Sequence, residues 1–180
     1  CDYQNSRLTV GLRYIFRYHP EDFRVQSRKL IYTIHENGDE KLSEELLLIS
    51  EKNTTYFYRR TFLESSNNIK RVDVINLDNG QLLPVFETIQ SEDHREVIAI
   101  LAPPILQNQS MRIGVEFSRS GLWKNLVTKG FDEGAISINH PTDKLEIQLI
   151  APPSFLFNNF RSIPEIGASK IDAVNSLSRI

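Results

Sequence analysis

One cysteine, one tryptophan and one methionine stand among 180 residues, and neither sign of charge prevails. With Cys1 alone no internal disulfide can form, so the fold must rest on its apolar core; a chain of this length buries roughly 70% of its unfolded surface. A reducing cytoplasm is the expected setting. The alternative is a lipoprotein in which an acylated Cys1 ties the domain to a membrane surface. The 21 Lys plus Arg against 23 Asp plus Glu leave a net charge of -2, which sets up no field to gather nucleic acid or anionic lipid. No stretch approaches the roughly 20 apolar residues of a membrane helix, so no span is expected.

Chemistry-bearing motifs are equally scarce. His19, His35, His94 and His140 lie far apart, with none of the i, i+2 or i, i+4 spacings that zinc sites use. No nucleophile elbow, phosphate loop or kinase signature occurs. Cys1 at a chain end lacks the surroundings that lower a thiol pKa. Adjacent carboxylates stand at Glu44-Glu45 and Asp132-Glu133, but neighbours on a strand point to opposite faces, so both pairs read as solvated. Arg59-Arg60 and Lys70-Arg71 read as short basic pairs on solvent faces. Lys129-Gly130-Phe131 starts like an RNA-recognition signature, yet the acidic Asp132 and Glu133 that follow would repel phosphate; Gly130 reads as a turn between strands. Asn53-Thr54-Thr55 and Asn108-Gln109-Ser110 fit the glycosylation rule in predicted turns. The expected catalytic, cofactor and metal sets are therefore none.

What is present is alternation with period two. Leu8, Val10, Leu12, Tyr14, Phe16 and Tyr18 share one side of a strand, and the pattern returns at Met111, Ile113, Val115, Phe117 and at Leu145, Ile147, Leu149. Turn residues punctuate it. Asn37-Gly38 predicts a type I′ hairpin between 30–35 and 41–49. Asn79-Gly80 predicts a second, between 72–77 and 81–89, with Pro84 at an edge or bulge. The strands over 96–101 and 145–150 are expected to stop at Ala102-Pro103-Pro104 and Ala151-Pro152-Pro153. Nine or ten strands with turn signals between them imply an all-β, antiparallel two-layer sandwich of Ig-like or Greek-key type; a closed barrel is the alternative. Helix is expected only at the C-terminus, where Ile171, Val174 and Leu177 share a face after Ser169.

Large aromatics supply the only candidate site. Trp123 after Gly121-Leu122 reads as a core anchor or a binding platform. Phe155, Leu156, Phe157 and Phe160 follow the last proline pair where surface is expected, as a cap on the core or a docking patch. Partner-binding candidates are thus Phe155, Phe157, Phe160 and Trp123. The domain division is residues 1–154 for the sandwich and 155–180 for the aromatic segment and helix. The expected function is a non-enzymatic recognition or regulatory module of a larger protein, acting through protein partners or self-association. The alternatives are a barrel holding a small apolar ligand and a repeating subunit of a shell, fibre or secretion assembly.

Overall fold

The computed structural model describes residues 6–16, 23–62, 69–91, 94–138, 140–152 and 154–163. Their strands are β1 (Ser6–Phe16), β2 (Phe23–Ile34), β3 (Glu40–Ser50), β4 (Thr55–Phe62), β5 (Asp73–Asn76), β6 (Gln81–Leu82), β7 (Val85–Ser91), β8 (His94–Ile105), β9 (Ser110–Arg119), β10 (Phe131–Ile138), β11 (Thr142–Ile150) and β12 (Phe155–Ile163), with one helix, α1 (Lys124–Lys129). They form a six-stranded sheet β11-β2-β3-β9-β5-β6 and two three-stranded sheets, β4-β8-β7 and β10-β1-β12. The protein is an all-β sandwich built mainly of antiparallel pairs, and none of the described sheets closes into a barrel.

Alternation explains the layering. On β3, Glu40, Leu42, Glu44, Leu46, Leu48 and Ser50 are all buried while the residues between them are exposed or half-exposed. On β2 the same parity holds at Phe23 and Val25, is reset by a bulge between Val25 and Ser27, and resumes at Arg28, Leu30, Tyr32 and Ile34. Met111, Ile113, Val115 and Phe117 continue the inner face on β9, and half-buried Leu145, Ile147 and Leu149 extend it on β11 in register with Arg28, Leu30 and Tyr32. The outer face is wet, crossed by Lys29–Glu146 and Lys41–Glu116 ion pairs.

The inner faces of the six-stranded sheet and of β4-β8-β7 meet over one core. Phe62 packs edge-on against Phe117, centroids 4.9 Å apart at 84°, and Tyr58, Val97, Ala99 and Leu101 bury against it. Ile136 and Ile138 of β10 belong to the same core.

Several expectations need correcting. The turn at Asn37-Gly38 is not type I′, because only Gly38 has positive φ (81°). Gly38 N–H donates to the His35 carbonyl and His35 N–H to that of Asp39, both at 2.9 Å, the arrangement of a turn followed by a glycine bulge. The strand expected over 81–89 divides: β6 pairs with β5, and after Leu83-Pro84 the chain joins the other sheet as β7, beside β8. Ala102-Pro103-Pro104 does not end its strand, since β8 runs to Ile105, the prolines sitting where the β4–β8 register breaks between Thr55 and Phe57. Pairing is not wholly antiparallel: β1 lies parallel to β10 and β12, and β11 parallel to β2. The aromatic stretch 155–160 is not a surface turn but the start of β12, hydrogen-bonded to β1. The helix expected after Ser169 lies outside the described residues.

α1 escaped the sequence reading for a physical reason. It has six residues, no side-chain N-cap and a single buried residue, Leu126, so it carries neither a capping signature nor an apolar stripe. Gly130 is its left-handed C-cap, donating to the Leu126 carbonyl at 2.9 Å, rather than a turn between strands.

Candidate functional site

Two features stand out from the core: a buried ionic cluster and an exposed aromatic sheet face. The cluster begins with the parity of β3, which puts two carboxylates inside. Glu40 receives Arg119 Nε at 3.0 Å and Nη2 at 2.8 Å, and Trp123 Nε1 donates to its other oxygen at 2.5 Å. Glu44 accepts from Arg28 Nε at 2.5 Å and pairs with Arg60 of β4 across the sandwich. Both carboxylate side chains are 0% exposed. The Arg60 guanidinium also lies over the rings of Phe62 and Phe117, 5.0 and 5.1 Å from their centroids.

Burial costs these groups their hydration, and their titration shifts accordingly. Desolvation lowers Arg60 to about 9, with the neighbouring Arg28 adding to the effect. Arg28 is likewise lowered by burial, and burial raises Tyr32. Arg60 still carries its charge at neutral pH.

The expectation that Glu44 and Arg60 are solvated is therefore corrected; Glu45 alone of its pair faces water. A usable signal was present: Glu44 falls on the Leu42, Leu46, Leu48 side of its strand. Arg60 carried the same signal, sharing its side of β4 with Tyr58 and Phe62.

A cavity of about 10 Å³ lies beside this cluster, walled by Arg28, Arg60, Tyr58, Thr61 and His140 with Val25 and Leu46. His140 is 4% exposed, tilted against Phe23 with centroids 4.6 Å apart, and its Nε2 donates to the Arg59 carbonyl at 3.0 Å.

The aromatic face is the outer side of β4-β8-β7. Phe57 pairs with Ile100, and Phe86 with Ile98. Phe57 is 52% and Phe86 59% exposed, and Tyr56, 56% exposed, lies beside Phe57 with ring centroids 6.4 Å apart. Ile98 and Ile100 are half-buried on the central strand between them. An Arg59–Glu96 ion pair at 3.6 Å borders the patch.

The sequence-derived candidates fall elsewhere. Trp123 is 1% exposed and hydrogen-bonded to Glu40, so it anchors the core and is not a platform for a partner. Phe155 is half-buried against the core. Phe157 and Phe160 lie in β12, opposite Leu8 and Val10 of β1. None of these joins the exposed face that Tyr56, Phe57 and Phe86 form. Among the described residues no three His, Cys, Asp or Glu side chains gather to hold a metal, and no described helix is long and apolar enough to cross a membrane.

Comparison with family models and with curated proteins finds no match. Among solved structures, an M1 zinc metallopeptidase from Deinococcus radiodurans is similar at a TM-score of 0.43 and 13% identity, over 57% of this chain and 22% of that one. A mutant of that enzyme gives 0.41 and 13%, over 56% and 21%. A two-domain M1 zinc metallopeptidase mutant bound to L-tryptophan gives 0.42 and 13%, over 57% and 22%. The chain thus spans about a fifth of the length of these enzymes. These structures are described as zinc metallopeptidases, which is at odds with the expected non-enzymatic recognition module.

Proposed function

We propose that the chain serves as an accessory β domain of a larger peptidase-type protein, with the outer face of β4-β8-β7 packed on the domain that carries the chemistry. The observation that carries this reading is the apolar character of that face, with Phe57 and Phe86 more than half exposed on either side of Ile98 and Ile100. A sheet face that rests in water takes polar residues at alternate positions, as the outer face of the six-stranded sheet does. A contiguous aromatic and aliphatic face with a charged border marks a surface that another protein surface covers. The peptidase class comes from the description of loosely similar structures and adds no weight to the geometry. Since the described residues gather no set of three metal ligands, the neighbouring domain would hold the zinc of such a protein.

The experiment is hydroxyl-radical footprinting of the full-length protein, paired with a peptide-hydrolysis assay before and after zinc chelation. Protection of Phe57 and Phe86, with hydrolysis that stops on chelation and returns with zinc, is the expected result. Labelling of both rings at the rate of an unprotected aromatic overturns the docked face. Hydrolysis that is absent, or indifferent to chelation, overturns the peptidase assignment.

A further inference from the structure

We infer that Asn79-Gly80, in the turn between β5 and β6, is a site of spontaneous covalent modification at which Asn79 deamidates to aspartate and isoaspartate. The chain's other Asn-Gly pair, Asn37-Gly38, is protected from the same reaction by its fold. The reaction needs only water. The Gly80 amide nitrogen, having given its proton to hydroxide, attacks Asn79 Cγ; the bond from Cγ to Nδ2 breaks and ammonia leaves, closing a five-membered succinimide. Water then opens the ring. Opening at Cγ restores the backbone with aspartate, whereas opening at the main-chain carbonyl carries the backbone through Cγ as isoaspartate. Nothing is oxidised or reduced. Glycine suits the attacking position because no Cβ shields its nitrogen or restricts its backbone.

The attacking nitrogens do not separate the two pairs. Gly80 N–H donates to the Asn76 carbonyl at 2.8 Å and Gly38 N–H to that of His35 at 2.9 Å, so each must release one comparable hydrogen bond before it reacts. The side chains and their surroundings do separate them. Asn37 Nδ2, the leaving group, donates to the Asp39 carboxylate at 2.9 Å, and Asn37 Oδ1 accepts the Asp39 N–H at 3.0 Å. Asp39 is held in turn by the Gly121 N–H at 2.8 Å, and the Gly38 carbonyl by the Trp123 N–H at 2.9 Å. A Cβ on Gly38 would come within 2.7 Å of Lys124 backbone atoms. Bringing Asn37 Cγ onto the Gly38 nitrogen therefore requires the turn to part from α1.

Asn79 is under no such restraint. Among the described residues its side chain takes one hydrogen bond, from the Gln81 N–H to Oδ1 at 2.9 Å. That bond draws electrons from Cγ, the atom attacked, and does not hold Nδ2. A Cβ on Gly80 would meet nothing within 4 Å, so the turn can rearrange without displacing packed atoms. It also closes β6, a two-residue edge strand with both residues exposed, and such turns open at little cost.

The test ages the native protein in mildly alkaline buffer and follows both sites by peptide mapping. Conversion exchanges an amino for a hydroxyl group and shifts the peptide mass, and fragmentation across the lengthened backbone distinguishes isoaspartate. Asn79 is expected to convert at least about tenfold faster than Asn37, at a rate that rises with hydroxide concentration. In urea, where the fold no longer tells the two pairs apart, the rates are expected to converge. Gly80→Ala is expected to slow Asn79 several-fold, and Asp39→Ala to speed Asn37 by releasing its side chain. As isoaspartate accumulates, the Leu83 N–H, bonded to the Val74 carbonyl at 2.7 Å just past β6, is expected to lose protection from hydrogen exchange. Equal rates at the two sites of the native protein, faster conversion at Asn37, or an Asn79 that survives in the folded chain while it converts in urea overturns the proposal.

Discussion

Trp123 Nε1 donates to Glu40 Oε2 at 2.5 Å across 83 residues of sequence, and this bond is the innermost of three that lock the β2–β3 turn onto the start of α1. Trp123 N–H donates to the Gly38 carbonyl at 2.9 Å, and Gly121 N–H to the Asp39 carboxylate at 2.8 Å. Three successive residues, Gly38 and Asp39 of the turn and Glu40 at the start of β3, thus hold the segment 121–123. A helix too short to persist alone is fixed by these bonds, and Trp123 places its indole in the core, 6.5 Å from Tyr32.

Gly38 and Gly80 separate crowding from backbone strain. Both have positive φ, 81° and 74°. A Cβ at Gly38 would come within 2.7 Å of Lys124 backbone atoms, whereas one at Gly80 would meet nothing within 4 Å. Gly80→Ala is expected to cost about 1 kcal/mol, from the left-handed conformation alone. Gly38→Ala is expected to cost about 3 kcal/mol or more, because the turn and α1 must part. Urea unfolding of the two variants gives the comparison, and equal losses would contradict it.

Glu44 and Glu45 are adjacent in sequence but not in consequence. Glu44→Ala removes the buried carboxylate that Arg28 and Arg60 share and is expected to cost about 3–5 kcal/mol. Glu45→Ala, on the exposed face, is expected to stay within about 0.5 kcal/mol of the parent. Denaturant midpoints measured side by side check this.

Acid should act partly through two turn aspartates. The Gly121 N–H holds the Asp39 carboxyl below its ordinary 3.8, with Asn37 assisting. The Arg112 N–H, then its guanidinium, does the same for Asp78. A carboxyl titrating lower when folded contributes stability above its unfolded pKa and loses it as pH falls through the folded value. Asp39→Asn and Asp78→Asn are therefore expected to flatten the loss of stability below about pH 4 relative to the parent. Parallel acid titrations of unfolding would show it, and superimposable curves would count against it.

Phe57→Ser with Phe86→Ser removes apolar surface already in water. In the chain alone the pair is expected to change stability by less than about 1 kcal/mol while lowering concentration-dependent association. Light scattering with calorimetry measures both, and a large drop in Tm would mean that these rings belong to the core.

The candidate sites were only partly legible. Glu44 could be assigned inward from its strand neighbours. The Tyr56, Phe57 and Phe86 face could not, since β4 and β7 come together only through β8, and the sequence-derived docking candidates Trp123 and Phe155 turned out buried or half-buried. An aromatic side chain reads alike whether it ends in the interior or on a sheet's outer face.

By itself the sequence determined several of the strands and the inward side of their apolar residues, because alternation and turn sterics act over a few residues. β9 at Ser110–Arg119 and the inner parity of β3 follow directly from Met111 to Phe117 and from Leu42 to Leu48. Tertiary structure decided the parallel pairing of β1 and β11, the passage of the chain between sheets at Pro84, the docking of α1, and the pairing of Arg60 with Glu44. Those outcomes depend on which distant backbone offers hydrogen bonds and which distant charge offers neutralisation, and neither is encoded within the reach of a local pattern.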